Sequence, residues 1–530
     1  MRHLQSVIAV IGIFLIYSAA HARARDHAPR VRIDSGELEG VDRGDVVVFL
    51  GIPYAIPPLG GLRWRAPMPV LPWHDVRAAQ TPEPACPQLD TQQQVTGDED
   101  CLKLSVTVPK RGTRSKPVMV FLHGGGFVGD SASALDATRL ASQGDVIVVT
   151  LEFRLGVFGF MAPSAGPEAG SYGLLDQRAA LRWVQRNIRA FGGDPENVTL
   201  FGESGGAVAV CAQLVSPGSN GLFGKAIMQS GSCGTTLLAN AGGPNTQALP
   251  FFRAGEQIHR DSLMAARDLG CEGDEVQLAD CLRDQPVATL LSLTSRFASA
   301  AVGGEVLPEH PVTALDAGHF QARSVLGGIV DNEAGLIADV FLVKSQVIDD
   351  ANLDALLSMG FGAAKDEVAA EYPRSRYETA AELWAAAYTD AMFACPQARA
   401  NAALQKHGSV FGYELADATI PHDIPALPNA PGGTWHADDL TYLFDQPGRP
   451  VDFDGNVIAL TEVQRSVASD MVAAWTSFAR DGRPSVRGNG WPDWSSRRVR
   501  VITAEPDSHE TVDLADEHHC AFWQGIELEH

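Results

Sequence analysis

The chain has 530 residues, 45% of them apolar and 20% charged, and a formal net charge of −23 at pH 7. These proportions are those of an ordinary globular protein, and no internal repeat or low-complexity tract interrupts the sequence. This strongly negative net charge argues against nucleic acid and against an anionic membrane surface as partners. A solvated acidic surface explains it better than a preference for cationic substrates.

The N-terminus, residues 1–22, is typical of a secretory signal peptide. A basic start precedes an apolar run over 6–17, and small residues allow cleavage after Ala22 or Ala24. The apolar run is short for a bilayer span, which makes an uncleaved anchor the weaker alternative. We therefore expect residues 23–530 to form one secreted or periplasmic domain without stable membrane insertion.

Candidate strands and helices alternate along the next part of the chain. The stretch 49–73 is too rich in proline and glycine for a long helix or a central strand, so it predicts a packed irregular connection. Apolar strands are expected over 117–122 and 145–150, and an amphipathic helix over 176–191. Strands separated by helices indicate a parallel sheet with right-handed crossovers.

Three consecutive glycines, 124–126, follow the first of these strands after His123. Such a run is costly in chain entropy. Its functional interpretation is that backbone N–H groups converge there, as an oxyanion hole requires. A flexible glycine loop is the alternative when this motif is taken alone.

The chain is organised around the segment Gly202-Glu203-Ser204-Gly205-Gly206. A buried strand is expected over 198–201 and a helix over 207–214. A strand, a sharp turn and a helix in that order describe a nucleophile elbow, in which small neighbours let the backbone pass closely and the serine hydroxyl is exposed. The G-x-S-x-G motif alone is weak evidence for an elbow. The expected strand before it and the expected helix after it make the prediction specific.

A nucleophile elbow also needs an acid and a base, which must come from further along the chain. A strand over 324–330 is followed by Asp331-Asn332-Glu333, at the sheet edge where functional side chains of α/β proteins collect. Residues 337–400 are expected to be mainly helical and to cover the site. His436 follows a loop rich in glycine and proline, and 466–480 predicts a closing amphipathic helix.

Eight cysteines fit an oxidising compartment, and 105 complete pairings are possible. Sequence proximity and position favour three pairs: Cys86 with Cys101, Cys271 with Cys281, and Cys395 with Cys520. For the remaining two, Cys211 and Cys233, buried free thiols are the simplest interpretation, and the sequence leaves open whether they are free.

Together these stretches resemble the type B carboxylesterases, the family that also contains the cholinesterases. Over nearly the whole mature chain, the matching segments stand in family order: FLGIPYA, EDCLKLSV, HGGGF, FRLGVFGF, FGGDPENVTLFGESGG, QSGS, GEVLP and WHADDLTYLF. The resemblance implies an α/β-hydrolase with a mostly parallel central sheet, helices on both faces and insertions capping the active site. It also implies a serine carboxylesterase that acts on small-molecule esters through an acyl-enzyme, with no metal and no cofactor.

The resemblance further assigns roles to individual residues. Ser204 would be the nucleophile, His436 the general base and then acid, and Glu333 the carboxylate that orients the imidazolium. Their chain order is that of α/β-hydrolases. The remaining assignments are the oxyanion-hole amides of Gly125, Gly126 and Gly205, supporting positions at Glu203 and Ser230, a buried ion pair of Arg63 with Glu99, and disulfides at the three cysteine pairs above.

The sequence departs from the family pattern at three places, which bear on the expected site and substrate. Gly205 stands where alanine is usual, although only its N–H is required. One additional residue before Gly335 leaves Asp331 as an alternative to Glu333. The loop between Cys86 and Cys101 has no tryptophan, so a specialist for choline esters is not expected.

Other functional classes remain as alternatives. Hormone-sensitive-lipase-like esterases also carry a histidine before the glycines, but their chains are shorter and lack the EDCL segment. A catalytically silent, cholinesterase-like binding module would typically have lost a triad member, whereas this chain keeps all three. A specialist hydrolase of amide or carbamate bonds is the third alternative. His518-His519-Cys520 does not have the spacing of a metal site.

Overall fold

The computed structural model describes residues 28–112, 115–344, 346–422, 426–427, 430–446, 451, 456–505 and 510–526. The predicted signal peptide lies outside these described residues. Within them, no helix combines the length and the apolar character needed to cross a membrane.

A mixed sheet of eleven strands runs through the described structure. Numbered in chain order, its strands are β1 Val41–Asp42, β2 Val46–Pro53, β3 Lys103–Pro109, β4 Lys116–Leu122, β5 Ile147–Leu151, β6 Gly193–Glu203, β7 Lys225–Gln229, β8 Ser324–Val330, β9 Ser409–Leu415, β10 Arg498–Ile502 and β11 Thr511–Asp513. Their spatial order is β1-β2-β3-β5-β4-β6-β7-β8-β9-β10-β11. All pairings from β5 to β10 are parallel, and those at the two edges are antiparallel.

The parallel register brings the ends of the central strands to one edge of the sheet. Leu122 at the end of β4 pairs with Gly202, and Glu203 at the end of β6 pairs with Gln229. Gln229 in turn pairs with Gly328 of β8. The residues that follow β4, β6, β7 and β8 therefore emerge side by side, as expected for functional loops of an α/β sheet.

Helices surround this sheet. The α-helices of the described residues are α1 Thr138–Gly144, α2 Gly156–Phe160, α3 Tyr172–Asn187, α4 Gly205–Val215, α5 Gly255–Asp268, α6 Glu275–Arg283, α7 Val287–Leu291, α8 Pro311–Ala317, α9 Gly335–Val343, α10 Leu353–Phe361, α11 Lys365–Glu371, α12 Ala380–Thr389, α13 Cys395–Gln405, α14 Asp439–Leu443, α15 Glu462–Asp481, α16 Leu514–Glu517 and α17 Cys520–Trp523. A π-helical segment, Asp390–Ala394, joins α12 to α13.

Among the residues that the structure describes, short strands form five smaller sheets outside the central one. They are Arg30–Ile33, Gly36–Glu39 and Arg77–Ala78; Gln88–Leu89 with Val95–Thr96; Thr236–Leu237 with Leu249–Pro250; Phe252–Ala254 with Ala300–Val302; and Ser485–Val486 with Asn489–Gly490. The stretch 49–73 is irregular beyond the end of β2, as predicted, apart from one 3₁₀ turn at Gly60–Leu62.

Buried side chains of β4 explain how the sheet is covered. Every residue of this strand is buried. Val118, Val120 and Leu122 belong to one apolar cluster, whereas Met119 and Phe121 belong to a second cluster. Because successive side chains of a strand point to opposite faces, both faces of the sheet are packed at β4.

Most predicted elements are present, with shifted ends. The strand expected over 324–330 has those bounds, and the helix expected over 176–191 begins earlier, at Tyr172, and passes into a 3₁₀ turn at Ile188. Residues 172–178 are all buried. The first turns of the helix therefore have no exposed face and show no amphipathic period.

Four disulfides join the cysteines. Three are the predicted pairs. Cys211 and Cys233, for which free thiols were the simplest interpretation, are instead bonded to each other. Cys211 lies on the helix after β6 and Cys233 follows the neighbouring strand β7, so the parallel pairing brings their Cα atoms to 5.4 Å.

The C-terminal segment is held by a buried ionic cluster. His518 Nδ1 lies 2.6 Å from Asp390 and its Nε2 lies 3.2 Å from Glu414, while the Tyr372 hydroxyl donates to Asp390 at 2.5 Å. Burial alone would lower the pKa of His518, but the two carboxylates raise it well above its usual value. The histidine is thus a cation that ties the chain end to β9 and to the π-helical segment. Among the described residues, no group of three or more His, Cys, Asp or Glu side chains is arranged to bind a metal.

Replacing His518 with leucine is expected to lower the free energy of unfolding by about 3–5 kcal/mol near about pH 6, because Asp390 and Glu414 would stay buried without their cation. Since the folded-state pKa is raised, this stabilisation is full below the pKa of an unfolded histidine and is lost as pH rises through the folded value. Denaturant unfolding with the disulfides intact measures it. His319→Leu, at the exposed pair with Glu309, is the control and should change stability by less than about 1 kcal/mol. Equal effects of the two variants would contradict this interpretation.

Candidate active site

Ser204 stands between β6 and α4 in a strained conformation, with φ +54° and ψ −124°. A positive φ is uncommon for a residue with a side chain and is often found where a site requires it. Its backbone N–H donates to Gln229 O at 2.9 Å. The neighbouring glycines are needed for space, because a Cβ on Gly206 would lie 2.0 Å from Leu122 O. The local structure is therefore that of the predicted elbow.

A row of hydrogen bonds connects Ser204 to two distant parts of the chain. His436 Nε2 lies 2.8 Å from Ser204 Oγ, and His436 Nδ1 lies 2.5 Å from Glu333 Oε2. Glu333 is fully buried, and its Oε1 accepts from the N–H of Val330 at 3.1 Å. The imidazole keeps 17% of its surface exposed, so a substrate can reach it.

Asp331, the alternative acid, points elsewhere. Its Oδ1 accepts from the N–H of Thr434 at 2.7 Å and so joins the loop after β8 to the loop before His436. A second bond, from Asn332 N–H to Thr434 O, reinforces this junction. Burial raises the pKa of Asp331 to about 6. Its contacts favour Glu333 as the partner of the imidazole.

The glycine loop lies directly against the elbow. Gly125 and Gly126 have φ of +81° and +61°, which disfavour any side chain. A Cβ on Gly125 would lie 2.2 Å from Gly129 O, and one on Gly205 would lie 2.9 Å from the amide nitrogen of Gly126. The glycine at 205 thus allows the two backbones to approach closely.

The two predicted supporting residues are buried beside this site. Glu203 Oε1 lies 3.3 Å from His436 Nε2, on the side of the ring that also faces Ser204. Ser230 follows β7 with a φ of +52° and donates its N–H to Gly328 O at 2.9 Å. Its hydroxyl is buried without a hydrogen-bond partner among the residues described.

A buried polar network close to His436 was not identified from the sequence. Gln229 Nε2 donates to Asp439 Oδ2 at 2.7 Å, and the Tyr413 hydroxyl donates to the same oxygen at 3.0 Å. Trp475 Nε1 donates to Gln229 Oε1 at 3.0 Å. Only position along the chain could have pointed to these residues, since Gln229 is the last residue of β7 and Asp439 lies three residues after His436.

Phe393 is a second residue that sequence reasoning missed. Its ring centroid lies 4.9 Å from that of His436, at an interplanar angle of 47°. It belongs to the π-helical segment, a geometry often found at functional sites and one for which the sequence gives no signal.

The predicted ion pair near the first disulfide is present. Arg63 donates to Glu99 through Nε at 2.7 Å and through Nη2 at 2.5 Å. Its Nη1 also donates to the carbonyl oxygens of Arg283 and Gln285. The arginine therefore joins the irregular connection after β2 to the end of α6.

The electrostatics of the site depend on two carboxylates. Burial alone would lower the pKa of His436, but Glu203 and Glu333 raise it to about 9. Burial raises the pKa of Glu203 well above its usual range. Glu203 therefore contributes to the raised pKa of His436 only in its ionised form.

Replacing Glu203 with glutamine is expected to shift the acid limb of the pH profile of kcat/KM to lower pH. A catalytic imidazole must be neutral to accept a proton, so activity falls as pH drops through its pKa. Glutamine keeps the shape but removes one of the charges that raise that pKa. Profiles from about pH 5 to about pH 10 measure the shift. Asp331→Asn is the control, and identical profiles for wild type and Glu203→Gln would contradict the assignment.

A mixed α/β sheet with a strained serine at the edge, hydrogen-bonded to a histidine, is an arrangement typical of hydrolases. The chain belongs to the carboxylesterase family, whose model matches residues 27–523. Curated relatives include a para-nitrobenzyl esterase of Bacillus subtilis (strain 168), 34% identical over 89% of this chain and 94% of its own. The pyrethroid hydrolase Ces2e of Rattus norvegicus is 31% identical, over 92% and 87%. A cocaine esterase of Homo sapiens is 30% identical, over 93% and 90%.

These comparisons show that the protein is a carboxylic ester hydrolase. Family membership implies the α/β-hydrolase fold, in agreement with the large mixed sheet and its helices. It also indicates small-molecule esters as the class of substrate.

Proposed function

We propose that the protein hydrolyses carboxylic esters by acyl transfer to Ser204, with His436 as general base and acid and Glu333 as the orienting carboxylate. The observation that carries this proposal is the unbroken row of hydrogen bonds from Ser204 Oγ through both ring nitrogens of His436 to Glu333. A nucleophile, a base and a group that orients the base in one row are the parts that this chemistry needs.

The first half of the reaction forms the acyl-enzyme. Glu333 accepts from Nδ1–H, which leaves the Nε2 lone pair free to take the Ser204 proton as Oγ attacks the ester carbonyl. The oxyanion accepts hydrogen bonds from the amides of Gly125, Gly126 and Gly205. His436 then gives its proton to the departing alcohol as the ester C–O bond breaks.

The second half returns the enzyme to its starting state. His436 takes a proton from water, and the resulting hydroxide attacks the acyl carbonyl. The bond from that carbonyl to Oγ breaks, Ser204 regains the proton from Nε2, and the carboxylic acid leaves. Only protein groups and water take part in these steps.

The proposal extends to the domain organisation, the layers of the fold and the cellular location of the protein. Residues 23–530 would form one domain, with a mostly parallel sheet between two helical layers and with α9 to α13 over the active site. Four disulfides persist best in an oxidising compartment, which supports export to the periplasm or the medium.

A series of p-nitrophenyl esters, from acetate to palmitate, tests the proposal. We expect turnover by the mature protein, with a chain-length optimum that reports the size of the acyl pocket. A fluorophosphonate should label Ser204 once per chain, as peptide mass analysis would show. Absence of both turnover and labelling in a folded protein would instead favour a catalytically silent binding module. Hydrolysis of the corresponding anilides or carbamates at greater kcat/KM would favour an amide or carbamate specialist.

A further inference from the structure

A second acid–histidine pair lies behind the glycine loop. His123 directly follows β4 and Glu152 directly follows β5, and the parallel register pairs Leu122 with Leu151, so the two side chains emerge next to each other. His123 is 1% exposed and Glu152 is fully buried. Their Nε2 and Oε2 atoms are 3.6 Å apart. The triad does not use either residue.

The other contacts of these side chains locate their protons. His123 Nδ1 lies 3.2 Å from Gly124 O, which can only accept, so Nδ1 carries hydrogen. Glu152 Oε1 accepts from Ser131 Oγ at 2.6 Å and from Ser133 N–H at 3.2 Å. Nε2 and Oε2 face each other without any other partner among the described residues. Two lone pairs so placed would repel, and one proton between them removes the repulsion.

Burial decides which atom holds that proton. Desolvation raises the pKa of Glu152 well above its usual value, and the nearby carboxylates Glu83 and Asp130 raise it further. Desolvation also lowers the pKa of His123, against an opposing effect of Asp130. The imidazole stacks on Phe153, with ring centroids 4.5 Å apart. A neutral acid that donates to a neutral ring therefore avoids two buried charges.

The pair controls the direction of one amide. Gly124 C=O and Gly125 N–H belong to the same planar peptide group. A hydrogen bond from His123 to the carbonyl therefore fixes where the Gly125 N–H points. At the other end of the loop, Glu152 holds Ser131 and Ser133. One carboxyl group thus restrains both ends of the segment 123–133.

We propose that Glu152 is a protonated carboxylic acid that, through His123, positions the Gly125 amide of the oxyanion hole. Both are positioning residues, since neither contacts the reacting atoms. The inference rests on the proposed function, because it needs the Gly125 N–H to stabilise the oxyanion.

Glu152→Gln and Glu152→Leu form the matched test. Glutamine can still accept from Ser131 and Ser133 through Oε1 and can donate to His123 through its amide, so it imitates the protonated acid. We expect kcat within about threefold of wild type for Glu152→Gln and about 10²-fold lower for Glu152→Leu, with little change in KM. Binding of a trifluoromethyl ketone, which mimics the oxyanion, should weaken in parallel. Equal losses in both variants, or no loss in either, would overturn the proposal.

If Glu152→Leu does not fold, His123→Phe replaces it. Phenylalanine keeps the stacking on Phe153 but removes both ring nitrogens, so the same loss of kcat is expected. Infrared difference spectra of wild type against Glu152→Gln test the protonation independently of activity. A carboxylic acid C=O band should be present in the wild type near neutral pH, and its absence would refute the neutral acid. The infrared band can be measured even if the wild type hydrolyses no ester. In that case the missing activity would count against the proposed function but not against the protonation of Glu152.

Discussion

Replacing Ser204 with alanine is expected to reduce kcat by about 10⁶-fold, with the remaining rate set by the oxyanion hole and substrate binding. The hydroxyl at 2.8 Å from His436 Nε2 is the only nucleophile in the row of hydrogen bonds, and alanine removes it without adding bulk. Initial rates with p-nitrophenyl butyrate at saturating concentration measure the effect.

The same experiment has internal controls. His436→Ala should lose about as much, and the double variant should lose no more than either single one, because the two groups act as a unit. Ser469→Ala, at an exposed serine of α15 that has no place in the proposed site, should retain most activity. A Ser204→Ala enzyme that kept more than about one hundredth of the wild-type kcat would contradict its role as nucleophile.

Glu333→Gln is expected to lower kcat by about 10⁴-fold while leaving the protein folded. Because Oε1 accepts from the N–H of Val330, the glutamine must keep its oxygen there and turn its NH₂ toward His436. That NH₂ donates to Nδ1, so the proton of the neutral ring moves to Nε2. The imidazole can then no longer accept the proton of Ser204. Rates and thermal unfolding measured on the same preparation separate this effect from instability.

Asp331→Asn is the matched control for that variant. Asp331 accepts from Thr434, and the asparagine oxygen can do the same. A loss of less than about tenfold is expected, since geometry near the imidazole is kept. A larger loss in Asp331→Asn than in Glu333→Gln would reverse the assignment of the acid.

Several elements of the fold are predictable from local sequence patterns. The elbow needs glycines because a Cβ on Gly206 would clash with the neighbouring strand. This requirement is visible in the sequence as the glycines that flank Ser204. The strand Ser324–Val330 was predicted with its observed bounds because it is a continuous apolar run between polar segments. Glu333 was singled out by its position after a strand, whereas the roles expected of Glu333 and His436 were implied by the resemblance to a known family.

Features that depend on register and on side-chain direction were not predictable. The bond between Cys211 and Cys233 requires knowing that β6 and β7 are neighbours and how their ends align. The contact of Phe393 with His436 depends on a π-helical segment for which no local pattern exists. His123 was recognised only as the residue before the glycines, because its partner Glu152 lies on another strand.

The cross-link between Cys395 and Cys520 spans 125 residues and encloses His436. A protease that cuts once between Cys395 and Cys520 leaves two polypeptides that are still joined by this disulfide. Ser204 and Glu333 always stay with the piece that carries Cys395, and His436 is either on that piece or tethered to it. Nicked enzyme would thus migrate as one band until a reductant is added, and intact mobility on a non-reducing gel would not prove an intact chain.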